Sequence, residues 1–466
     1  MNKLLIFTFI LVILITPTIC LGEWEPPSEV THEQIVEISQ EILAMLDIPI
    51  EVHEDIFRIP VLGMDWDIGG MVYQPKDPSQ IPTLPDGKKI GIFLLHGGAA
   101  DHRFMNNAAR LLAGKFGFKV VAMTYPGRLY LLNPSRNWPG DTIKSDGSVR
   151  TPIWNKDKLI TRDQYEVVED KSMLPKYGTK ILACAKEGTE FYNRLAAYPM
   201  AFEEAGKAMM QRHFPPVEYS IYIHGHSTGG PFAFMLTQRV ENILGVVGME
   251  TSPFGYIYRS QGRPSGNPYG KTQGELPFSC LGVGNWRTVA VYAGPEALMQ
   301  EGGKALMRLP MLMEEVYERW DKVKTYPYFR AENSVHFGGT RELARAAQAT
   351  AKRLDFSSEK TQELIKYYVG YSRELSGSDV KPVPPVILGI VAASADHQYE
   401  AYRRITLPMF AGMNPPPKVR LVAFKAGTHG YTSAEPDLPM GPFPAAAKLW
   451  YDAIMNGYYR NTPVFD

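Results

Sequence analysis

The chain has 466 residues, of which 45% are hydrophobic and 11% aromatic, more than one ordinary domain needs and enough to bury a substantial core. Its 49 Lys and Arg balance 49 Asp and Glu, so the totals lack the basic excess of a nucleic-acid binder. No phosphate-loop or dinucleotide glycine pattern is present, and no cofactor is expected.

In chain order, Lys3 precedes an apolar run over residues 4–15 that only Thr8 interrupts. Thr16-Pro-Thr-Ile-Cys-Leu-Gly22 follows, with small residues suited to cleavage near residue 22. This pattern predicts a secretory signal peptide over residues 1–22. The apolar run has about twelve residues, short of the roughly twenty a spanning helix needs. The mature protein is therefore expected to be secreted or periplasmic, with no stable membrane span. Export permits a disulfide between Cys184 and Cys280, the two cysteines left after cleavage. Two buried free thiols are the alternative.

Residues 31–48 predict an amphipathic helix, with a capping box at Thr31 and Gln34. Extended segments at 51–61 and 66–73 read as an antiparallel pair at a sheet edge. From residue 90 the pattern changes to an unbroken apolar run at 90–95 and mostly apolar runs at 119–123, 219–223, 244–249, 386–392 and 419–424, in which only Lys119, Ser220 and Arg420 are polar. Such runs mark strands buried on both faces. Helical segments at 103–116, 201–214, 230–240, 398–405 and 445–456 lie between or after them. The alternation predicts an α/β domain, a mostly parallel sheet with helices on both faces. Two intervals break the rhythm. Residues 129–200 read as a lid-like insertion, and 252–384 as a helical cap with helices at 303–319 and 358–375. The core is thus expected to comprise 23–251 and 385–466.

The chemistry centres on Ile221-Tyr-Ile-His-Gly-His-Ser-Thr-Gly-Gly230. A strand ends in a sharp Gly225-His226-Ser227-Thr228-Gly229 turn and a helix follows. That context lifts a serine hydroxyl out of a sheet as a nucleophile. Ser227 needs a base, and His429 stands on the glycine-flanked loop after the last strand. The base needs a carboxylate to hold its tautomer. Asp396, at the end of strand 386–392, is favoured, and Glu250, at the end of the preceding strand, is its rival. The backbone N–H of Thr228 and that of Gly98, or alternatively Ala99, are the expected oxyanion donors. His96 is expected to order the Gly97-Gly98 loop. A competing metal reading of His224-Gly-His226 leaves Ser227 and Gly229 unexplained, and no metal is expected.

Together, Gly225-His-Ser-Thr-Gly229, the early His96-Gly-Gly98, strand-terminal Asp396 and late His429 resemble the α/β-hydrolase superfamily over residues 50–128, 201–251 and 385–460. The resemblance implies an eight-stranded, mostly parallel sheet and a covalent acyl-enzyme. The expected activity is cleavage of a carboxylic ester in a small molecule, with an apolar or aromatic group suggested by the aromatics of the insertions. An amidase, peptidase or acyltransferase on the same triad, and an inactive binding protein of this fold, are the alternatives.

Overall fold

The computed structural model describes residues 26–251, 280–283 and 383–460. Excepted are residues 62, 98–100, 131–146, 150, 171–179, 187–188, 228, 238–239, 396–397, 400–401, 403–405, 408–409 and 411–415. The expected signal segment and the cap helices at 303–319 and 358–375 lie outside the described residues.

One large sheet organises the molecule. Its strands are β1 (Ser28–Val30), β2 (Ile50–Val61), β3 (Met64–Pro75), β4 (Lys89–Leu95), β5 (Lys119–Thr124), β8 (Tyr219–His226), β9 (Ile243–Met249), β11 (Val386–Val391) and β12 (Val419–Phe424). They lie in the order β1-β12-β11-β9-β8-β4-β5-β3-β2. β3 alone runs opposite to the other strands, antiparallel to both β2 and β5. The sheet has nine strands, not eight, because Ser28–Val30 adds a short parallel strand beside β12. Three residues with one apolar side chain give no periodicity to read.

The runs are mostly apolar because both faces of the sheet are covered. In β4, Ile90, Ile92 and Leu94 enter one core, while Phe93 and Leu95 enter the other. The first core is closed by α1 (His32–Ala44), α2 (Asn106–Phe116) and α5 (Phe443–Met455), through Ile35, Leu112 and Trp450. The second is closed by α3 (Glu190–His213) and α4 (Gly229–Thr237), through Phe202, Met209 and Phe232. Fully burying each such side chain stabilises the fold by about 1.5–3 kcal/mol. The Thr31–Gln34 capping box forms as expected.

Within residues 129–200, expected as a lid-like insertion, the structure describes two strands. β6 (Tyr165–Asp170) and β7 (Lys180–Ala185) are antiparallel, and β10 (Cys280–Val283), from the interval 252–384, joins them. Cys184 is disulfide-bonded, and the register sets it opposite Cys280. α3 starts eleven residues before the expected 201, at Glu190, capped by the Thr189 hydroxyl. It runs through Pro199, whose missing N–H deprives only one carbonyl of its helical bond. Residues from 129–200 are tied to buried Asp67 in β3, whose carboxylate accepts from Arg58 Nε (2.7 Å), Tyr130 (2.8 Å) and the Lys156 amide (2.7 Å). Among the described residues, no helix is long and apolar enough to cross a membrane.

Candidate active site

The C-terminal ends of β8, β9 and β11 and the loop after β12 converge on Ser227. The chain reverses from β8 into α4 so tightly that Ser227 takes a left-handed φ of 53°. An L-residue adopts that conformation only where the surroundings impose it. The glycines on either side explain how. A Cβ on Gly225 would run into the Gly229 main chain, and one on Gly229 would lie 2.6 Å from the Leu95 carbonyl oxygen. The Ser227 amide donates to the Met249 carbonyl at 2.9 Å, tying the turn to the end of β9.

The next residue along β9 is Glu250, also left-handed, at φ 51°. Its side chain is wholly buried. Oε1 accepts the Val391 amide at 2.7 Å, and Oε2 accepts from His429 Nδ1 at 3.2 Å. A buried carboxylate is tolerable only when it is hydrogen-bonded in this way. Tyr402 holds the following residue, accepting the Thr251 amide (2.9 Å) and donating to the Gly389 carbonyl (3.2 Å).

His429 occupies a turn closed by the Tyr431 amide on the Thr428 carbonyl at 2.8 Å. Tyr431 is the third non-glycine residue with positive φ, at 58°, among the described residues. With its Nδ1–H given to Glu250, neutral His429 carries its lone pair on Nε2, the state a general base requires. The ring lies 4.9 Å, centroid to centroid, from His226, the residue before Ser227.

This is the α/β-hydrolase fold. The order β2-β3-β5-β4-β8-β9-β11-β12 carries the elbow at the end of its fifth member in sequence, and the histidine loop follows its last. No protein-family model and no curated protein matches the sequence. Among solved structures, the chain is similar to a thermostable esterase from Pseudomonas putida (12% identity, 90% of this chain and 86% of that one, TM-score 0.32). A thermostable carboxyl esterase from Bacillus coagulans gives 11% identity over 80% and 89%, with a TM-score of 0.34. The acylaminoacyl peptidase of Pyrococcus horikoshii gives 11% identity over 92% of this chain and 44% of that one, with a TM-score of 0.36. What the site can do is therefore read from its own residues.

The α/β-hydrolase sheet brings Ser227, His429 and Glu250 to one edge. Asp396 lies outside the described residues, as do the oxyanion candidates Thr228, Gly98 and Ala99. Gly97 is described, and a Cβ placed on it would come within 3.3 Å of the Ser227 Cβ, so the loop leading to Gly98 lies against the elbow. His96 orders that loop. Its Nδ1–H donates to the Gly97 carbonyl at 2.8 Å, and Tyr125 donates its hydroxyl to the His96 carbonyl at 2.5 Å. Burial pushes the His96 imidazole well below its usual range, with the neighbouring Arg128 charge adding to the effect.

The two histidines of His224-Gly-His226 have separate neighbours. His224 packs edge-on against Trp450 at 5.2 Å, and His226 gives its Nε2–H to the His429 carbonyl at 2.7 Å. Burial drives both imidazoles down to about 3. The bond from His226 spans 203 positions and left no mark in the sequence. Among the described residues, one group could offer three metal ligands, namely His32, Glu435 and Asp437 at the surface. There the two ring nitrogens already face one carboxylate each, at 3.8 and 3.1 Å.

Proposed function

We propose that this protein is an exported serine hydrolase that cleaves a carboxylic ester through Ser227, His429 and Glu250. The observation that carries the reading is the buried Glu250 carboxylate on His429 Nδ1, at the edge where Ser227 stands on its strained turn. A buried acid, an imidazole with its base nitrogen left over and a serine on an elbow have complementary tasks. His429 takes the Ser227 proton as the hydroxyl attacks the ester carbonyl. Glu250 stabilises the imidazolium, which then protonates the leaving alcohol. Water activated by the same imidazole releases the acid and restores Ser227.

The developing oxyanion is assigned to the amides of Thr228 and Gly98, with Ala99 the alternative to Gly98. Loss of one such donor typically lowers turnover about 10²- to 10³-fold. Glu250 replaces Asp396 as the preferred acid because it already holds the histidine. Export is supported by the apolar leader and by the disulfide at Cys184, a bond characteristic of oxidising compartments.

A fluorophosphonate probe tests the reading. It should label the wild-type protein at Ser227, and Ser227→Ala should lose both labelling and hydrolysis of p-nitrophenyl esters. Full ester hydrolysis by Ser227→Ala would overturn the nucleophile. Faster turnover of aminoacyl anilides than of esters would overturn the substrate class.

A further inference from the structure

We propose that His226 is a positioning residue, whose Nε2–H holds the main-chain carbonyl of His429 and so sets where the base stands beside Ser227. The inference rests on the triad reading and adds a residue to it. His226 is the last residue of β8, 4% exposed, on a strand paired along both sides. It is therefore a rigid post. His429 stands on a turn between Gly427 and Gly430, on a loop with no sheet partner of its own. Glu250 grips that histidine by its ring, at Nδ1. His226 grips it by its backbone, at 2.7 Å. One hold leaves the imidazole free to pivot, and two fix both the position and the direction of its base nitrogen.

The tautomer follows from the partner. A carbonyl oxygen only accepts, so the His226 proton is on Nε2. Nδ1 has no hydrogen-bond partner among the described residues and lies against Gly97, where a Cβ would approach it to 2.9 Å. Phe104 covers the ring at 4.9 Å with a 35° tilt and helps keep water from the bond. Burial holds the imidazole neutral down to about pH 3, so no second cation competes with the imidazolium formed at His429. Displacement of a catalytic group by about 1 Å can cost on the order of 100-fold in rate, and the His226 bond guards against such a displacement.

Two replacements separate the donor from the ring. His226→Gln places an amide N–H near the old Nε2, whereas His226→Phe keeps the ring and its packing but has no donor. With ester substrate, His226→Phe should lose about 10- to 100-fold in kcat with little change in KM. His226→Gln should retain most of the wild-type kcat. Both should keep a cooperative thermal transition, and if His226→Phe does not fold, His226→Leu supplies the donor-free comparison. Full activity in the donor-free variant, or an equal loss in both folded variants, would overturn the proposal. Wild-type protein that the fluorophosphonate leaves unlabelled would instead overturn the triad, and this inference with it.

Discussion

Ser227, Glu250 and Tyr431 share a backbone conformation that side chains resist, and all three stand within two residues of the proposed chemistry or on it. Such conformations cost about 1–3 kcal/mol each and persist where neighbouring structure imposes them. At Glu250 the consequence is specific. The turn after β9 aims the carboxylate across the end of β11, where it meets the Val391 amide and the His429 ring. Asp396 and Glu250 both follow strands of the same sheet, so strand order alone could not choose between them. What aims Glu250 at His429 is the φ of one residue, which no pattern of hydrophobicity reports. Glu250→Gln should lower kcat on the order of 10³- to 10⁴-fold. Its amide can donate to Nδ1, moving the imidazole proton to Nε2 and removing the base. Asp396→Asn should leave kcat near wild type. Steady-state kinetics on the two variants decides the acid, and the reverse order of effects would restore Asp396.

Among the elements, those with strong periods were legible. The runs in β4, β5, β8, β9, β11 and β12 alternate between two cores, and their doubly buried character was plain in their mostly apolar residues. The elbow was legible because glycine is demanded on both sides of Ser227. Less visible were β1, β6, β7 and β10, short strands whose charges and small residues give no clear period, and the first eleven residues of α3, masked by Pro199. The elbow supplies the prediction at this scale. In Gly225→Ala, the new methyl meets the main chain of Gly229 and lies 2.7 Å from the Gly230 Cα. Backbone cannot yield as a side chain would, so α4 must shift. A loss of about 1–3 kcal/mol in unfolding free energy is expected, with a slower reaction at Ser227. Denaturant melts beside probe-labelling rates would measure both, and unchanged values would show that the turn has slack.

For the whole molecule, buried histidines tie stability to pH. In the folded state burial holds His224 and His226 down at about 3, against 6.5 for a free imidazole. Between those values the unfolded chain binds protons that the folded chain refuses. Their contribution is therefore fully present above about pH 6.5 and is lost as pH falls toward 3, at about 1.4 kcal/mol per pH unit for each group. Thermal midpoints should fall as pH is lowered from 7 to 4. His224→Phe, which keeps a ring against Trp450, should flatten that fall, and an unchanged slope would show that His224 is charged when folded.

The small sheet of β6, β7 and β10 bears on how such a chain can change over generations. β7 comes from the interval 129–200 and β10 from 252–384, and each lends the other an edge, with Cys184 and Cys280 facing across it. Neither strand can be removed or exchanged alone without stripping the other of a hydrogen-bonded ladder. The two strands would have to change together, as a single graftable module delivered by two distant stretches of the gene.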